Sequence, residues 1–197
     1  MLRLALLLVL FLPHFTFGED SLVEKLRAGG YVLYMRHTST DFSQNDAKSR
    51  SFGDCENQRN LTDKGRAEAR EVAAQIKRLG IPIGTVLASP LCRTMETARL
   101  AFGKATPMTE VRGGPLKSDD SKRYDGLRKL MSSPVPKGEN LVISSHGNPF
   151  HAIAGPPYLV EGEIAVVQPQ GGGRFSVVSR IRLGDWPALR AGGGPAS

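Results

Sequence analysis

Cysteine is almost missing from this chain, with Cys55 and Cys92 alone among 197 residues, so at most one intramolecular disulfide can form. In an oxidising compartment the even count suggests that Cys55 and Cys92 pair, and two free buried thiols are the alternative. Long apolar runs are missing too. The longest, Leu4 to Leu12, is too short to span a bilayer unaided. Internal repeats, heptads and low-complexity blocks are absent, which leaves one ordinary domain with a sizeable core. Acidic residues are in deficit, 19 against 26 Lys and Arg, and no carboxylate-rich group stands near His146 or His151 to make a metal site.

What is present begins with Met1-Leu2-Arg3, the apolar run and small residues up to Gly18. That is the pattern of a secretory signal peptide, residues 1–18, cut after Gly18. The expectation is a periplasmic or secreted protein with no stable membrane span after cleavage. Its single domain covers residues 19–197, with a loose tail after 187. Cleavage would remove one Arg and no acid, taking the formal charge from +7 to +6. A basic exported protein favours anionic partners such as small phosphorylated molecules or a lipopolysaccharide surface. Nucleic acid fits the charge but not the compartment.

Periodicity predicts an α/β fold. Short apolar stretches at Tyr31–Met35, Thr85–Ala88 and Leu141–Ser145 read as buried strands. Helices are expected over Ser21–Ala28, from a Thr62 cap to Leu79, from about Cys92 to Phe102, and over Asp120–Met131. A brief strand is expected near Pro107–Val111, and a hairpin joins 163–168 to 175–183 across Gly171-Gly172-Gly173. The alternation argues a three-layer sandwich: a mainly parallel central sheet flanked by helices, with an antiparallel hairpin near the carboxyl end. Residues 39–60 form a long polar loop of the kind that often carries function.

Chemistry gathers where ligands meet such sheets, at the carboxyl ends of parallel strands. The first strand ends on Arg36-His37, the second leads to Arg93, and the third ends on His146. Arg can clamp a phosphoryl group with paired hydrogen bonds, and a neutral His can attack phosphorus. Fixed guanidiniums around a transferring phosphoryl group supply positioning and charge stabilisation.

Four blocks stand in order: Arg36-His37-Thr38, Leu61-Thr62-Asp63-Lys64-Gly65, Ser89 through Arg93 to Thr97-Ala98, and His146-Gly147. Together they resemble the histidine phosphatase (phosphoglycerate-mutase-like) superfamily, branch 1, over most of residues 31–155. The resemblance implies a metal-independent phosphomonoester hydrolase with no cofactor. His37 would accept the phosphoryl group, while Arg36, Arg93 and His146 complete its pocket with help from Gly147 and the Thr38 N–H. Thr38 stands where the family has Gly, which is harmless if the backbone there has an ordinary φ. Ser43 stands roughly where many members have Asn. The proton donor to the leaving group is open: Glu110 is best placed, with Glu161, Glu163 and Asp119 as rivals. Because the nucleophile must be neutral, the rate is expected to fall as His37 protonates, and a profile flat from about pH 5 to 8 would count against it.

Two other readings compete. A cysteine-dependent phosphatase needs five residues between Cys and Arg, whereas six separate Cys92 from Arg99. A non-catalytic binder of a phosphorylated ligand or anionic glycolipid remains open. The substrate expected for an enzyme is a sugar phosphate or a lipopolysaccharide phosphate.

Overall fold

The computed structural model describes residues 21–113 and 122–190. The expected signal peptide, Asp119, the start of the helix predicted at Asp120 and the end of the tail lie outside the described residues.

Ser21 caps helix α1 (Leu22–Ala28) in a reciprocal capping box with Glu24. Strand β1 follows at Val32–Arg36. Thr62 caps α2 (Asp63–Leu79), accepting from the Gly65 N–H, and Gly80 stops it in the left-handed conformation. Next come β2 (Ile83–Ala88) and α3 (Cys92–Phe102). The strand expected at Pro107–Val111 is shorter and earlier: β3 is Thr106–Pro107, and Thr109–Val111 turns as a 3₁₀ helix. Helix α4 covers Asp125–Ser132 and β4 Asn140–Ser145. A helix that periodicity did not single out, α5 (Gly147–Ala154), starts directly at His146. β5 (Ile164–Pro169) and β6 (Phe175–Ile181) form the expected hairpin.

The six strands lie in the order β3-β2-β4-β1-β5-β6. β3, β2, β4 and β1 run parallel, while β5 is antiparallel to both β1 and β6. Alternation along β1 fills two cores. Leu33 and Met35 pack with Val72 and Ile76 of α2 and with Met95 and Ala98 of α3. Val32 and Tyr34 pack on the other face with Leu127 and Met131 of α4 and Phe150 of α5. Both faces of the sheet are therefore covered, and function is left to the strand ends. After β6 the described residues fold back on α2. Trp186 is buried, and the Arg78 guanidinium of α2 donates to the carbonyls of Trp186 and Leu189.

Candidate active site

β1 and β4 are adjacent and parallel, with Arg36 opposite Ser145 in register, so Arg36-His37 and His146 leave the sheet side by side. β2 flanks β4 and delivers Ser89, whose N–H bonds the Ser144 carbonyl at 2.9 Å, and α3 then turns Arg93 back over the same edge. The His37 and His146 rings meet nearly edge to face, 5.4 Å between centroids. Together with Arg36, Arg93 and Gly147 they line one cavity of about 660 Å³.

His37 is buried, and its Nδ1 lies 3.0 Å from the Thr38 carbonyl oxygen. A carbonyl only accepts, so Nδ1 carries the proton and Nε2 keeps its lone pair. Burial, reinforced by the charges of Arg93, Arg36 and Arg59 and only partly opposed by the Thr38 bond, pulls the His37 pKa down to about 3. This corrects the expectation for pH: the ring is already neutral throughout the range from about pH 5 to 8, so a flat profile there agrees with His37 as nucleophile. Burial, with the charges of His37 and the same arginines, holds His146 well below the ordinary range. The His146 Nε2 shares a 2.9 Å hydrogen bond with the Ser89 hydroxyl. Its carbonyl accepts from the Tyr34 hydroxyl at 2.8 Å. Burial pushes that phenol upward, so it remains a donor.

Arg36 is steadied from behind. Its Nη1 donates to the Leu159 carbonyl at 2.7 Å, and Nη2 lies 3.7 Å from Glu161. Arg93 instead grips a carboxylate: Nη1 and Nη2 each donate to one oxygen of Asp46 at 3.0 Å. Arg59 also lines the cavity, and its N–H donates to the same Asp46 at 2.9 Å. Burial raises the Asp46 pKa, but the Arg93 bonds and the Arg59 N–H outweigh it and hold the group ionised below the usual range. The Nε atoms of Arg36, Arg59 and Arg93 are buried with no hydrogen-bond partner among the described residues. Buried guanidinium donors left open around one cavity are what an incoming oxyanion would satisfy.

The remaining candidates sit elsewhere. Thr38 is buried behind the site with its N–H on the Thr97 hydroxyl, and no described residue other than glycine has a positive φ, so the loss of Gly there is harmless. Glu110 is exposed and lines a neighbouring depression with Thr109, Arg123 and Arg112, the last of which also borders the main cavity. Glu161 lies on the Nδ1 side of His37, 3.8 Å away, and accepts from the Thr40 N–H and hydroxyl. Glu163 is buried, accepting from the Val160 N–H and lying 3.8 Å from Arg180. Ser43 bonds its neighbour Asp41. Asp46 is the one carboxylate of the cavity wall among the described residues. Cys55 and Cys92 form a disulfide that ties the 39–60 loop to the start of α3. Among the described residues, no three His, Cys, Asp or Glu gather as a metal ion would need.

Sequence reasoning missed Asp46 and Arg59. Arg59 had a faint signal, being a basic residue two positions before the Leu61-Thr62 block. Asp46 had none, because Gln44-Asn45-Asp46-Ala47 reads as a polar turn and its partner is 47 residues away.

Comparisons with known proteins agree with this geometry. Residues 32–113 match the model of the histidine phosphatase superfamily (branch 1). No curated protein sequence matches the chain. Among solved structures, the protein histidine phosphatase SixA complexed with tungstate is similar at 24% identity and a TM-score of 0.55, covering 79% of this chain and 98% of that one. A putative phosphohistidine phosphatase SixA from Agrobacterium tumefaciens shares 17% identity with a TM-score of 0.52, covering 77% and 97%. A phosphoserine phosphatase from Entamoeba histolytica, solved with phosphoserine, also shares 17% identity at a TM-score of 0.52, covering 76% and 95%. At these identities the structures speak for the fold, and the family match with the four converging side chains speaks for the site. On those grounds residues 32–113 carry the match to the histidine phosphatase superfamily (branch 1), on a fold that these solved structures share.

Proposed function

We propose that this phosphatase hydrolyses phosphomonoesters through a phosphohistidine formed on His37. The observation that carries the reading is the bond from His37 Nδ1 to the Thr38 carbonyl, which leaves a neutral Nε2 in a cavity walled by Arg36, Arg59, Arg93 and His146. In the first step the Nε2 lone pair attacks phosphorus. The P–N bond forms as the ester P–O bond breaks, and the leaving oxygen takes a proton. In the second step water attacks the same phosphorus, the P–N bond breaks and phosphate leaves. The guanidiniums hold the equatorial oxygens through both steps. Asp46 is ionised while it holds Arg93. A phosphoryl group that takes Arg93 removes the partner keeping that pKa low, which makes Asp46 a better placed proton donor than Glu110.

The tungstate held by SixA is a tetrahedral oxyanion like the one this cavity would hold, and it supports the same reading. Binding without turnover is the second reading, favoured by Asp46 already occupying Arg93. The two part on one assay. Wild type should release phosphate from p-nitrophenyl phosphate and trap an acid-labile phosphoryl group on quenching, and His37→Ala should do neither. Equal background rates in both proteins would leave only binding.

The compartment and natural substrate belong to the same proposal. The 1–18 segment, the Cys55–Cys92 pair and the basic charge support an exported, periplasmic or secreted enzyme acting on a sugar phosphate or lipopolysaccharide phosphate. A mature protein that starts at Glu19 in the periplasmic fraction is the expected outcome. Retention of residues 1–18 on a cytoplasmic product would refute export.

A further inference from the structure

The cavity holds more positive charge than one phosphoryl group needs. Five guanidiniums line it, from Arg36, Arg50, Arg59, Arg93 and Arg112, against the single carboxylate of Asp46. They fall into two sets. Arg36, Arg59 and Arg93 are the ones whose charge acts on the His37 ring, and they surround the reacting centre. Arg50 and Arg112, the outer set, line the same cavity as Ser49, Ser51 and Phe52 and are not among the leading charges on that ring.

Neither outer guanidinium has an acid within ion-pair distance among the described residues. Asp46 pairs with Arg93 and Glu161 lies beside Arg36, while Arg50 is fixed only through its backbone N–H, 3.0 Å from Asp54. Arg112 instead lies over the Phe52 ring, 5.6 Å from its centroid. Phe52 is two residues from Arg50 and three from the disulfide at Cys55, so the bridge fastens the stretch that carries Arg50 and the ring on which Arg112 lies. A cavity of about 660 Å³ has room for a whole small metabolite beyond the reacting phosphoryl group.

We propose that Arg50 and Arg112 form a second anion subsite, so that the preferred substrate is a phosphomonoester carrying a second phosphoryl group, of the sugar bisphosphate class. The inference rests on the phosphatase reading of the inner site. The scissile phosphoryl group sits among Arg36, Arg59, Arg93 and the two histidines, and the second is clamped by the outer pair across the sugar. Two guanidiniums suit a dianion better than a lone hydroxyl, and the Phe52 ring beneath Arg112 helps to hold that one in place.

The test compares kcat/KM for glucose 1,6-bisphosphate with that for glucose 6-phosphate and glucose 1-phosphate, at fixed ionic strength near 0.15 M. The expected preference for the bisphosphate is at least about tenfold, above the twofold that two equivalent ends would give. In Arg50→Ala/Arg112→Ala the ratio should collapse to within about twofold of unity, and in Arg50→Lys/Arg112→Lys it should be partly retained. Lys77→Ala, a charge lost from the far end of α2, should leave the ratio as in wild type. A wild-type ratio near one, or a tenfold ratio that survives in the double alanine variant, overturns the subsite. If no substrate turns over, the phosphatase reading fails by itself. Calorimetric titration with the same sugars then decides the subsite on the same ratio of affinities and its loss in the double variant.

Discussion

Asp46 and His37 show how single groups set the state of the site. Asp46 gives Arg93 a carboxylate in the geometry a phosphoryl group would use, so any substrate must displace it. Asp46→Asn should therefore tighten product inhibition by inorganic phosphate by about two- to fivefold, the scale of a partly exposed ion pair. An unchanged inhibition constant would show that Asp46 and phosphate do not compete. His37 makes a prediction about protonation. Burial and three nearby guanidiniums hold the ring neutral, so its carbon resonances in oxyanion-free buffer should show no inflection between about pH 5 and 8. An inflection near the ordinary histidine value would mean a solvated ring. Neither property is written in the local sequence, since His37 reads the same whether its neighbours in space are charged or not.

The turns that start and tie the elements are where the geometry is most easily broken. Gly65, in the first turn of α2, passes so close to the strand-end loop that an added Cβ would lie 2.1 Å from the Ser39 carbonyl oxygen. Gly65→Ala should destabilise the fold by about 1–3 kcal/mol, the usual cost of overpacking, and lower activity by moving the chain after His37. Equal melting temperatures would remove that explanation for the glycine of the Leu61–Gly65 block. Gly147, opening α5, is bounded the same way by the Tyr158 ring at 2.1 Å. The disulfide closes a separation of 37 residues, and Cys55→Ser/Cys92→Ser should cost about 4 kcal/mol by the chain-entropy model. The same variant should raise KM, because the loop it frees carries Asp46, Arg50, Phe52 and Arg59. Denaturant unfolding of the oxidised protein against the double variant measures the first effect, and initial rates the second.

At the scale of the whole molecule, two buried neutral histidines make folding sensitive to acid. Both rings have pKa values below that of an unfolded chain, about 6.5. Below that pH the unfolded chain takes up protons the folded protein refuses. Stability should therefore fall as pH drops from about 6.5, by at most about 1.4 kcal/mol per pH unit for each ring, until the folded-state pKa is reached. Urea midpoints in oxyanion-free buffer between pH 7 and 5 should show this slope, and His37→Asn should reduce it. Identical slopes in the two proteins would place the acid sensitivity elsewhere.

Much of the architecture was legible before any coordinates. β1, α2, α3 and β4 announce themselves because each buries a continuous apolar face between turn residues, and local pattern and tertiary burial agree there. α5 was harder to see, since Gly147-Asn148-Pro149 looks like a turn until packing of Phe150 beneath β1 makes it a helix. β3 was misplaced because a strand of two residues is fixed by its neighbour β2 rather than by its own pattern.

The order of residues by itself determined β1, β2, β4, the closing hairpin and the helices α2 and α3, and it showed that Arg36, His37, Arg93 and His146 stand at strand ends or just beyond. Those features follow from short-range periodicity and from the rule that parallel strands present their carboxyl ends together. Only the tertiary structure decided that Asp46 and Arg59 return to the same cavity, that Glu110 stays outside it, and that Cys55 meets Cys92. Each of these depends on how a polar loop without periodicity or a short turn packs in space, and burial and charge, which set the chemistry, exist only once distant segments are in contact.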